Sequence, residues 1–216
     1  MNNLSLEDFP SVLPIFPLSG VLLLPHGKLP LNIFEPRYLQ MIEDSMSSHR
    51  MIGMVQPINS KDIDHIPRTY PTGCLGKITS FSEVEDNRYY ITLTGIVRFK
   101  IINEMPFRDL LYRQVNVSYT DFQSDLLKPS EIGLNREILL PALKNFFKMR
   151  GLSANWDVIN QSNDSELLVS LAMICPFSST EKQALLECSN SETRSEMLLT
   201  LIEMAQHETR SKKGLH

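Results

Sequence analysis

The chain has 216 residues, 42% of them hydrophobic and 21% charged, with a formal net charge of −4. That composition is ordinary for a globular chain able to bury a core, and it gives no basic footprint for nucleic acid or anionic lipid. Cys74, Cys175 and Cys188 are odd in number and lie at no metal-ligand spacing. They argue against a disulfide framework and for a reducing compartment, the cytoplasm. The start, MNNLSLEDFP, carries acids where a signal peptide needs a basic flank, and the apolar run 21–24 is too short to span a membrane.

In chain order, SVLPIFPLSG reads as a strand whose Pro14 and Pro17 predict an edge position or an irregular start. GVLLLPHGKLPLNIF reads as two extended pieces joined by a turn at Pro25-His26-Gly27. A helix is expected over 36–46, where Leu39, Ile42 and Met46 share one stripe. Pro36 suits its first position and Glu35 its N-cap, and Phe34 is placed to pack on Leu39 as a hydrophobic staple. Arg37 falls in the first turn, where a cation is mildly unfavourable. Its guanidinium is therefore expected to cross to a carboxylate or to strand carbonyls in the sheet.

RMIGMVQP reads as a buried strand with a proline stop. LGKITSFSEVEDNRYYITLTGIVRFKIINEM reads as a hairpin with a polar turn at 85–88. In its second arm Tyr89, Ile91 and Leu93 alternate with Tyr90, Thr92 and Thr94. Gly95 predicts a bend or bulge that curls the strand toward a barrel. DLLYRQVNVSYTDF is one more strand.

Near Ser124-Asp125 the pattern turns helical. A helix is expected over 130–150, with a kink or restart at Pro141 and a stop at Gly151. Capping boxes are read at Asn163/Glu166, Ser178/Glu181 and Ser189/Glu192. Pro176 ends the first of these helices. The last carries Met197, Leu198, Leu201, Ile202 and Ala205 on one face, and the tail RSKKGLH reads as frayed. The expectation is an α+β chain, with a β-rich part over 1–124 that contains one helix and a helical bundle over 125–216.

Chemistry is sparse. The sequence has no HExxH, CxxC or DxDxDG pattern and no P-loop, so no metal, cofactor or ATP hydrolysis is expected. Glu35 and Arg37 invite a catalytic reading, but a helix start explains most of that motif. Cys175 and Cys188 fall on apolar helical faces. Cys74, beside a glycine, has no histidine in a nucleophile signature with it. What remains is apolar exposure. Leu22, Leu23, Leu24 and Pro25 stand together beside a turn, and Met41 lies in a methionine-rich stretch; these are the protein-binding candidates. A local gathering of Arg88, Arg98, Lys100, Arg108 and Arg113 would support RNA binding instead.

The stretch LPIFPLSGVLLLPHGKLPLNIFEPRYLQMIEDSM resembles the start of the N-terminal substrate-binding domain of Lon-type ATP-dependent proteases. Phe34, Glu35, Pro36, Arg37 and Tyr38 match the family motif completely. GCLGKITSF and NRYYITLTGIVRFKI are similar to its later segments, and the end of the chain is similar to that of stand-alone members. The resemblance covers roughly Leu13 to Ala205. It implies a β-rich, PUA-like pseudo-barrel followed by helices, and a role in binding protein substrates or a protein partner. The helix start read from their spacing makes a structural role the expectation for the motif residues 34–38. A full Lon protease continues into ATPase and Ser-Lys protease modules. This chain ends where those would begin, so the expectation is an isolated, non-enzymatic domain acting in recognition or as an adaptor. RNA or nucleotide binding, which PUA-like folds also perform, is the alternative.

Overall fold

The computed structural model describes residues 5–58, 67–84, 86–106, 109–127 and 133–213, with side chains as far as Gln206. Strands β1 (Val12–Pro17) and β2 (Lys28–Ile33) precede helix α1 (Pro36–Met46). Strands β3 (Met51–Val55), β4 (Thr72–Val84), β5 (Arg88–Glu104) and β6 (Arg113–Ser118) follow. A 3-10 segment, Thr120–Leu126, leads to α2 (Arg136–Arg150), α3 (Trp156–Gln161), α4 (Asp164–Ile174), α5 (Ser179–Glu187) and α6 (Ser191–Lys213).

The strands form one six-stranded sheet in the order β2-β5-β4-β3-β1-β6, and β6 pairs again with β5. The ring β5-β4-β3-β1-β6 is therefore closed. β5 makes closure possible because its early residues, Tyr89 to Thr94, pair with β2 and its late ones, Lys100 to Glu104, pair with β6. The expected break at Gly95 is a register shift against β4. Leu75 pairs with Val97 and Gly76 with Gly95, which leaves Ile96 as the extra residue. Such a bulge bends and twists the strand toward closure.

The prolines of β1 do not mark a sheet edge. β1 lies between β3 and β6. Pro14 pairs only with β6, and Pro17 is the last residue of the strand, so neither interrupts a ladder on both sides.

The described residues form two apolar cores. Leu13, Ile15, Leu75, Val97, Phe99, Val115 and Val117 fill the ring, with Phe9 and Tyr119 among them. The larger core joins the outside of the ring to α1 and the helices, from Phe16, Leu23 and Met41 to Leu143, Phe146, Leu168 and Ile202. It draws on both sides of residue 124, and the 3-10 segment runs across that position.

Helix boundaries differ from the sequence reading in four places. α2 begins at Arg136 under an Asn135 cap and runs through Pro141 without a restart, ending at left-handed Gly151; residues 130–132 lie outside the described set. α3 was not expected; the Asn155 side chain caps it by accepting from Asp157 and Val158 N–H groups. The full capping box forms at Ser178/Glu181, and Asn163 accepts from Glu166 N–H. The cap of α6 is Asn190, whose Oδ1 accepts from Thr193 N–H at 2.8 Å, one residue along from the expected Ser189. α6 keeps Leu198, Leu201 and Ile202 buried, as the stripe required, and its backbone stays helical to Lys213 where fraying was expected.

Candidate functional site

The apolar loop expected at the surface is the joint of the molecule. Leu22, Leu23, Leu24, Pro25 and Met41 are all buried, so none can form an exposed binding patch in this fold. The loop crosses the outside of the ring at Gly95. His26 N–H donates to Gly95 O at 2.9 Å, and Gly95 N–H donates to Gly27 O at 2.8 Å. A Cβ at Gly95 would stand 2.0 Å from Leu24 O, so only glycine allows the approach. On its other side the loop meets helices. Lys182 Nζ of α5 donates to Gly20 O at 2.8 Å and Met173 O at 2.9 Å. Burial lowers that ammonium's pKa. Gln56 donates to Val21 O, and its Oε1 accepts from Gly20 N–H at 3.1 Å. Leu22, Leu23 and Leu24 thus have cover on both faces.

The motif 34–38 builds the helix start with two departures. Glu35 is the N-cap residue of α1, and its backbone carbonyl accepts from Tyr38 and Leu39 N–H groups. Its side chain caps nothing; it holds Arg37, whose Nε lies 3.0 Å and Nη2 2.8 Å from Glu35 Oε2. Arg37 therefore stays local and does not cross to the sheet, and its guanidinium rests 4.6 Å from the Tyr38 ring centre. Phe34 is 60% exposed, so the staple is not made. The buried stripe of α1 is Tyr38, Met41, Ile42 and Ser45, with Leu39 and Met46 at its half-buried margins. Tyr38 meets Phe16 with ring centres 4.1 Å apart.

An exposed aromatic surface lies elsewhere. Beyond Ile78 the hairpin β4–β5, flanked by β2, projects as a three-stranded arm. Its end carries four aromatic residues. Phe81 and Tyr89 share one face, with ring centres 5.0 Å apart, and Tyr90 points to the other. Phe34 follows Ile33, the partner of Tyr89. Phe81 is 40% and Tyr90 50% exposed. The Tyr89 hydroxyl donates to Glu43 Oε1 of α1 at 2.7 Å. That bond to a carboxylate is the main reason its pKa is pushed up to about 12, so the phenol stays protonated and ties the arm to α1. Sequence reasoning missed this surface. A signal was present in SFSEV, where Phe81 is flanked by serines and no apolar run continues it.

Among the described residues the cysteines are not set up as nucleophiles. Burial pushes the Cys74 thiol far up and the Cys175 thiol up to about 12. A thiolate nucleophile is disfavoured at both. Among the described residues no group of three or more His, Cys, Asp or Glu could hold a metal ion. Three of the five basic residues read as an RNA face are buried or paired, and Arg88 is exposed. Arg98 is buried, Lys100 pairs with Asp121 and Arg113 with Glu104; Arg108 lies outside the described residues. No described helix is long and apolar enough to cross a membrane.

Residues 12–204 match the family described as the ATP-dependent protease La (LON) substrate-binding domain. The chain is similar to Lon protease 2 of Myxococcus xanthus, 23% identical over 91% of this chain and 24% of that protein. It is also similar to the Lon protease of Dictyoglomus thermophilum, 27% identical over 87% of this chain and 24% of the relative. It thus spans about a quarter of the length of these relatives. Among solved structures, a Lon N-terminal domain protein from Xanthomonas campestris superposes with a TM-score of 0.60 at 24% identity, covering 88% of this chain and 98% of that one. The N-terminal domain of a Mycobacterium avium complex Lon protease gives 0.59 at 15% identity, covering 89% and 98%.

Proposed function

Because the chain belongs to the LON substrate-binding domain family, we propose that it is a protein-binding module that recognises polypeptide substrates or a protein partner without chemistry of its own. The observation that carries this reading is the exposed aromatic end of the arm, where Phe34, Phe81 and Tyr90 are the aromatic members of the exposed large apolar residues among those described. Aromatic side chains offer large contact area at small entropic cost and are favoured at interfaces. In such a role the domain would hold a client for a separate protease. Free thiols at Cys74, Cys175 and Cys188 fit a cytoplasmic setting. The burial of Arg98 and the pairing of Lys100 and Arg113 weigh against RNA.

Fluorescence anisotropy with folded and with reduced, alkylated ribonuclease tests the reading. Binding of the unfolded form is expected, weakened roughly fivefold, about 1 kcal/mol, in a Phe34→Ser/Phe81→Ser/Tyr90→Ser variant of unchanged melting temperature. No binding of either form at ~100 μM, already a weak interaction, would overturn it.

A further inference from the structure

The outer side of β4 is unused along half its length. β3 pairs with β4 only from Met51↔Lys77 to Met54↔Cys74. Arg50 O then accepts Ile78 N–H at 2.8 Å, and there the neighbouring chain turns away at Arg50, whose φ is 59°. β4 continues to Val84, paired with β5 on its inner side as far as Val84↔Arg88. Among the described residues no strand lies on its outer side beyond Ile78. Residues 79–83 are exposed whichever way their side chains point. Both faces of the strand are thus open there, so a guest strand meets no covering layer.

We infer that this edge, residues 80–84, takes an extended segment of another polypeptide as an added strand. The inference rests on the protein-binding reading and supplies its mode. The vacant lane prolongs the line of β3, so an incoming strand would continue an existing ladder. Its backbone would satisfy main-chain groups that now face water, which gives affinity with little demand on sequence.

The other free edge of the arm is guarded. β2 carries Lys28 and Pro30, residue types that discourage pairing. Residues 79–84, Thr-Ser-Phe-Ser-Glu-Val, hold neither lysine nor proline. The side chains specify the guest. Phe81 and Glu83 alternate on one face with Tyr89 beside them, and Glu83 has no ion pair among the described residues. The favoured segment presents an apolar side chain to Phe81 and, two residues away, a basic one to Glu83. A second copy of this chain offers no basic residue at 79–84, so charge favours a foreign strand.

Amide hydrogen exchange on the whole chain reads the edge directly and needs no variant. The probes are Thr-Val-Thr-Lys-Thr, in which Val and Lys stand two residues apart on one face of an extended strand, and its counterpart with Glu in place of Lys. Exchange at 80–84 is expected to slow about tenfold at saturation with the Lys peptide. The Glu peptide and a Phe81→Glu variant should each bind at least roughly fivefold more weakly. Binding of unfolded ribonuclease and of the Lys peptide with unchanged exchange at 80–84 would overturn the inference and leave the protein-binding reading standing. No binding of any probe would overturn both. Protection at 80–84 that grows with protein concentration alone would assign the edge to a second copy and overturn the foreign strand.

Discussion

The Arg98 guanidinium grips Asp125 through Nε–Oδ2 and Nη2–Oδ1 bonds, each of 2.8 Å, and both side chains are almost fully buried. Arg98 Nη1 also donates to Leu186 O at 3.0 Å and Cys188 O at 2.6 Å, and Asp125 Oδ2 accepts Arg98 N–H at 3.0 Å. One side chain thus connects β5, the 3-10 segment and the end of α5. With its partners all filled, the pair is a joint and not a site.

Removing one partner leaves the other charged and unsolvated. Arg98→Met should cost about 3–5 kcal/mol, read by urea denaturation. Arg98→Met combined with Asp125→Leu should recover part of that loss. A cost under about 1 kcal/mol for the single variant would show that the joint carries no such weight.

Gly95→Ala should be among the most damaging single-methyl changes in the chain. The new Cβ meets a backbone oxygen 2.0 Å away, and neither strand nor loop can step aside. A loss of about 3 kcal/mol is expected, at the high end for overpacking. Gly133→Ala is the control, because nothing lies within 4 Å of a Cβ there. Equal melting temperatures for the two variants would contradict the tight approach.

Arg37 gives the opposite expectation. Its pair with Glu35 is 44% and 45% exposed, so solvent screens it. Arg37→Ala should cost less than about 1 kcal/mol. A calorimetric scan showing several degrees more loss than Glu35→Ala would point to a further partner.

His49 makes stability depend on pH. Its Nδ1 accepts Met51 N–H at 3.0 Å, which only the unprotonated nitrogen can do. Burial lowers its pKa from 6.5. The unfolded chain therefore takes up the proton first as pH falls. His49's contribution is fully present above 6.5 and is lost below it, down to the folded value. Denaturation midpoints at pH 7.5 and 5.5 should differ less in His49→Asn than in the parent. An identical pH dependence in both would refute the assignment.

Much of this was legible in the residues. Period-two alternation placed the β4–β5 hairpin, and Gly95 announced its bulge. Pro36 fixed the start of α1, and Ser178 with Glu181 fixed that of α5. These signals are local, since each concerns groups within a few residues of one another. The long motif through Phe34-Glu35-Pro36-Arg37-Tyr38 gave the family. Local signals failed where a second element decided the outcome. Phe34 and Leu39 had the right spacing for a staple, but the chain before α1 belongs to β2 and leaves Phe34 outside.

Two residues of the hairpin show what only the tertiary structure decided. Arg98 lies between Val97 and Phe99, on the outward parity of its strand, where alternation makes it a surface residue. The 3-10 segment and α5 cover it. Phe81 pairs with buried Ile91, on the apolar parity, where alternation makes it core. β4 outruns β3 and leaves it 40% exposed. The sequence by itself determined which face of each strand is apolar. Which faces are covered was decided by elements far away along the chain, because burial depends on what packs against a surface and not only on the surface itself.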